Sequence, residues 1–171
     1  MFDVLAKQDA PISGSFAFPW LPLASYRMIK VYLANIHSAT NATDLYLTFY
    51  IGGVEIASGY RWTAECFTSS ASASQTASDS DTKINITGSA ANFDMKNGAE
   101  DQLVGNITLS NPGSGAIYKK CYYQVSLFSP TSVTLSTVGA GSLDNAGAVH
   151  GLKISGQNNL DTGHIRVVGI H

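Results

Sequence analysis

The segment Asp44–Ile51 reads DLYLTFYI and alternates without a break. Leu45, Leu47, Phe49 and Ile51 fall on one side of an extended chain, with Tyr46, Thr48 and Tyr50 on the other. Successive side chains of a strand point to opposite faces, so a period of two demands a strand with one face in a core. A helix would scatter the same residues around its circumference. Gly52-Gly53 follows and leads into Val54-Glu55-Ile56, which is the chemistry of a tight hairpin.

The pattern recurs along the chain. Arg27–Ile36 places Ile29, Val31 and Leu33 on one face and Met28, Lys30, Tyr32 and Ala34 on the other. Phe16, Phe18 and Trp20 alternate as a first strand, ended by Pro19 and Pro22. Lys83–Thr87 alternates, and so does Leu103–Leu109 around Gly105, a glycine that marks a bulge or a close backbone approach. Ile117–Phe128, Ser132–Val138, Val149–Ile154 and His164–Ile170 complete the set. Strands with turn signals and no helical period between them predict an all-β fold, an antiparallel β-sandwich of jelly-roll-like type. Ser69–Ser80 (SSASASQTASDS) is expected as an exposed loop, Asn111–Gly115 as a turn and Gly139–Gly147 as a second flexible loop. Residues 1–12 read as an attachment arm outside the sandwich, and residues 13–171 as the sandwich domain.

Composition narrows the function classes. The chain has 171 residues, one domain's worth, and only 13% of them are charged. A surface of small neutral polar groups suits a protein packed against other proteins. A net charge of −2 gives no basic field for nucleic acid. No apolar run approaches ~18 residues, so no membrane insertion is expected. Met1–Lys7 lacks the basic segment and apolar run of a secretory signal, which points to synthesis in a cytoplasm. Cys66 and Cys121 read as two free thiols, or else as one disulfide, and cannot form a disulfide framework.

There is no G-x-S-x-G, and His37, His150, His164 and His171 have no metal-ligand spacing. Asp79-Ser-Asp81 lacks the remaining ligands of a calcium loop, and the other acidic residues read as solvated. No enzyme, metal or cofactor is therefore expected. Asn41, Asn85 and Asn106 begin N-x-Thr triplets that read as chance matches. Aromatic residues near strand ends carry more information: flat sugar faces stack on exposed rings, and neutral polar groups bond to hydroxyls. Tyr60, Trp62 and Tyr123 are the candidate glycan-contacting rings, with Tyr118 and Tyr122 nearby. The alternative is that such rings fill the core or a subunit contact.

Tyr26–Ile36, Thr43–Gly53, Tyr60-Arg-Trp62, Gly105–Pro112, Leu152-Lys-Ile-Ser155 and the closing Asn158–Ile170 together resemble the jelly-roll-type C-terminal modules of tail fibres, head fibres and spikes of tailed bacteriophages and gene-transfer-agent particles. The resemblance runs from about residue 25 to the end, on loose strand patterns, and transfers no site residue. It implies a virion structural protein, made in the host cytoplasm. Its partners would be other virion proteins, further copies of itself (a trimer first) and a host-surface glycan. With only a short arm ahead of the sandwich, a small spike, decoration or adaptor subunit is expected rather than a full-length fibre. Phe2, Val4 and Leu5 would be the arm's apolar contacts. A decoration or tail-completion protein without receptor binding is the alternative, and a free carbohydrate-binding module is the next.

Overall fold

A computed structural model describes residues 1–69, 73–89, 94–98, 101–115, 118–129 and 133–171. Among them the strands are β1 (Phe2–Gln8), β2 (Ser15–Phe18), β3 (Met28–Ser38), β4 (Leu45–Ile51), β5 (Val54–Glu55), β6 (Tyr60–Thr68), β7 (Ala73–Asp81), β8 (Ile84–Asn85), β9 (Leu103–Ser110), β10 (Lys119–Phe128), β11 (Thr134–Leu143), β12 (Gly151–Gly156) and β13 (Leu160–Ile170). Eight of them form a large sheet in the order β1-β13-β3-β9-β10-β11-β6-β7. The second sheet runs β2-β12-β4-β5, with β8 also paired to β4. All strand pairs are antiparallel, and the two sheets bury one common core. This is the all-β antiparallel sandwich that the alternation demands. No helix among the described residues is long and apolar enough to cross a membrane.

The core follows the sequence parity. Leu45, Leu47 and Phe49 of β4 meet Ile29, Val31 and Leu33 of β3 within it. The Gly52-Gly53 hairpin has φ of 59° and 79°, the paired left-handed geometry of a type I′ turn. Gly105 is a close approach: a Cβ there would lie 2.4 Å from the Gln124 carbonyl oxygen. The facing strand bulges between Leu33 and Ile36, where Asn35 takes φ of 55°. The bulge resets the alternation so that Ile36 also points inward.

Four expectations are corrected. The predicted loop Ser69–Ser80 is largely strand β7, paired along β6 at the edge of the large sheet; residues 70–72 lie outside the described residues. An edge strand over the rim needs few apolar side chains, and polar ones protect it from pairing with other chains. The predicted loop at Gly139 is strand as far as Leu143. A Cβ on Gly139 would sit 2.3 Å from the Tyr123 ring, and one on Gly141 would sit 2.7 Å from Ile84, so these glycines make room for large neighbours. Lys83–Thr87 does not alternate. Ile84, Asn85, Ile86 and Thr87 are all buried, and only Ile84–Asn85 pairs with β4. Beyond that pairing the Ile86 N–H donates to the Leu45 carbonyl at 2.8 Å, and side chains add to the hold: Asn85 Nδ2 and Thr87 Oγ1 donate to Asp44 at 2.9 and 3.0 Å.

The fourth correction concerns the N-terminal arm. Phe2–Gln8 is β1, antiparallel to β13 from Phe2↔Ile170 to Gln8↔Ile165. It belongs to the large sheet rather than lying outside it. Hydrogen-bonded pairs tie it further. His171 Nε2 lies 3.0 Å from Asp3, Tyr26 donates to the same carboxylate at 2.9 Å, and His164 Nδ1 lies 3.1 Å from Asp9.

Candidate functional site

The three rings singled out from the sequence are buried, not exposed. Tyr60 and Tyr123 are 0% accessible and Trp62 is 7%. Tyr60 stands on the inner face of β6 and bridges the two sheets. Its hydroxyl accepts from the Phe49 N–H at 2.8 Å and donates to the Ile56 carbonyl at 3.0 Å. The Tyr123 hydroxyl lies 3.1 and 3.0 Å from the carbonyls of Thr63 and Asn85. Trp62 Nε1 donates to Asp81 at 2.9 Å. Burial pushes both phenols well above the ordinary tyrosine range. These residues are core with their polar ends satisfied. β6 and β10 are interior strands, and on them Tyr60, Trp62 and Tyr123 share parity with Ala64, Cys66, Cys121 and Val125.

The two cysteines are free and buried. Burial raises both thiols, Cys121 to about 12, so neither is a nucleophile near neutral pH. Asn85, one of the N-x-Thr asparagines, is buried in the Asp44 network. Asp94 packs against the same Asp44. Burial, then the hydrogen bond and charge of that carboxylate, pushes Asp94 up to about 6. His37 lies 2.6 Å from Asp161; burial disfavours its charge, but the carboxylate outweighs this and raises its pKa. Among the described residues no three His, Cys, Asp or Glu side chains are grouped to hold a metal.

Exposed aromatic and polar groups gather instead on the outer face of the large sheet. The registers fix two adjacent rows. One runs Lys7, Arg166, Tyr32, Asn106, Gln124, Val138; the other runs Val4, Val168, Lys30, Thr108, Tyr122, Ala140. Tyr32 and Tyr122 are 46% and 49% accessible. They stand diagonally across β9, with Asn106, Thr108 and Gln124 between and beside them. Cross-strand neighbours on one face stand about 5 Å apart, so the five side chains make a continuous platform. At its β1–β13–β3 end the face hollows into a groove of about 830 Å³. Tyr32, Lys30, Arg166, Lys7, Asp9 and His164 line it, and Phe2, Val4, Val168 and Ile170 give it an apolar end. Phe2 and Val4 are 72% and 56% accessible, whereas Leu5, at the β1 bulge, packs on the core.

Sequence reasoning missed Tyr32 as a site residue. Its signal was present: it sits opposite Ile29, Val31 and Leu33 in an alternating strand, and that parity sends it outward. The chain matches no protein-family model, and no curated protein is significantly similar to it.

Proposed function

We propose that the chain is a structural subunit of a phage-type virion that displays its sandwich for contact with a host-surface glycan. The observation that carries the reading is the platform of Tyr32, Asn106, Thr108, Tyr122 and Gln124 on an open sheet face. Two exposed rings offer flat apolar faces, and three neutral side chains between them offer donors and acceptors. That is binding chemistry for a polyhydroxylated chain, with no catalysis required. The strand-pattern resemblance to fibre and spike modules supports the virion assignment, and the sandwich fold agrees with it.

A second reading has its own support. Phe2 and Val4 are large apolar side chains exposed on an edge strand. Such groups favour cover by another chain, where each can contribute ~1.5–3 kcal/mol on full burial. This favours an assembly contact through β1, with another virion protein or a second copy, whether or not the platform binds sugar. Reconstruction of the intact particle tests the location of the subunit, and an array of host-surface glycans tests the platform. The expected result is density for the sandwich on the particle exterior with the platform facing outward, together with retention of glycans by the soluble protein. Absence from the particle, or a platform sealed against another subunit, contradicts the reading.

A further inference from the structure

The chain carries a net charge of −2, yet three of its ten Lys and Arg residues line one groove. Lys7, Lys30 and Arg166 share it with a single carboxylate, Asp9, which is already met by Lys7 at 2.8 Å and His164 at 3.1 Å. Lys30 and Arg166 take part in no ion pair among the described residues. Register places Arg166 directly opposite Tyr32, and Lys30 two residues before Tyr32 on the same face. Two cations therefore flank an exposed ring at the end of the polar platform.

We infer that this groove recognises an acidic glycan, with Lys30 and Arg166 holding its carboxylate or sulfate groups while a sugar ring stacks on Tyr32. The inference rests on the glycan reading of the platform and sharpens it. Tyr32 is common to both, and the cations select the charged sugar. Charge complementarity favours an anion, because an uncharged sugar has no use for two unpaired cations beside the ring. Arg supplies a planar fork suited to a carboxylate, and Lys supplies a mobile point charge. The apolar floor of Val168 and Ile170 and the small number of cations disfavour a phosphate at every unit, as in nucleic acid.

The test measures binding of the full chain to oligogalacturonate, to its methyl ester and to a heparin hexasaccharide, with poly-glutamate and oligo-dT as competing classes. Expected is binding of at least one acidic oligosaccharide, at least ~10-fold weaker binding of the methyl ester, and weakening as salt rises from about 50 to 500 mM. K30Q/R166Q should abolish the salt dependence while leaving the melting temperature unchanged, since both heads lie on the groove surface. Equal affinity for ester and acid, unaltered by K30Q/R166Q, would overturn the acidic selectivity and leave the neutral-glycan reading standing. Failure to bind any saccharide, acid or ester, would overturn both. Tighter binding of poly-glutamate or oligo-dT than of either acidic saccharide would assign the groove to that class instead.

Discussion

Tyr60 and Tyr123 work as sheet-to-sheet braces with their hydroxyls matched inside the core, while the buried Trp62 ties β6 to Asp81 of β7 within the large sheet. Trp62→Ala is expected to cost about 3–5 kcal/mol, and Tyr123→Phe about 1–3 kcal/mol because it strips a donor from the Thr63 and Asn85 carbonyls. Denaturant unfolding measures both; a cost near zero for Trp62→Ala would contradict its burial. Asp94 gives a second expectation, in pH. Its folded pKa is raised to about 6 against an ordinary 3.8, so the native state holds the extra proton. Stability therefore falls as pH rises between those values, and the penalty is fully present above about pH 6. Asp94→Asn should stabilise the protein by ~1–2 kcal/mol at pH 7.5, after allowance for solvent screening, and by nothing below about pH 4. Melting curves at the two pH values check this; an equal effect at both would refute it. The face taken by the core rings was legible, because Arg61, Thr63 and Glu65 alternate with Tyr60, Trp62 and Ala64. Proximity to loops, which does not decide the face of a strand, pointed the other way.

At the scale of elements, alternation exposed most strands, including the edge strands β2 and β5, but not the interior β6 or the rim strands β1 and β7. β3, β4, β9 and β10 must supply apolar side chains to a core, and that obligation writes itself into the sequence as alternation. β1 and β7 lie at the two rims of the large sheet, where pairing holds the backbone and less is asked of the side chains. β7 therefore resembles a loop in composition, and β1 resembles a free arm. The glycines of β11 misled for a different reason: they answer to Tyr123 and Ile84, neighbours that no local window contains. Because β1 is part of the sheet, deletion of residues 1–9 should do more than remove an assembly contact. It uncovers the edge of β13 and the packing of Leu5 and Ala6, with a loss of about 2–3 kcal/mol and roughly 5–10 °C in melting temperature. A truncated chain that melts with the full one would contradict this.

At the scale of the molecule, a low-charge sandwich presents one broad face with a platform and a groove, and the groove's apolar end reaches the β1 edge at the exposed Phe2 and Val4. The arrangement suits an assembled subunit whose contact at the β1 edge adjoins the binding face, so that cover of Phe2 and Val4 would close the apolar end of the groove. A homo-oligomer, with a trimer first, is expected by light scattering at micromolar concentration, and Phe2→Ser with Val4→Ser should shift it toward monomer. A wild-type chain that stays monomeric would set that expectation aside. Many copies on one particle would multiply a modest affinity per site without new contacts. The fold class was legible in the sequence, but the platform was not, because it exists only when β3, β9 and β10 lie side by side in register. The most direct measurement compares glycan retention and melting temperature for the wild type and for Tyr32→Ala with Tyr122→Ala. The expected result is lost retention with a melting temperature within about 2 °C, since exposed substitutions usually stay within ~0.5 kcal/mol. Undiminished retention by the folded double variant would contradict the account.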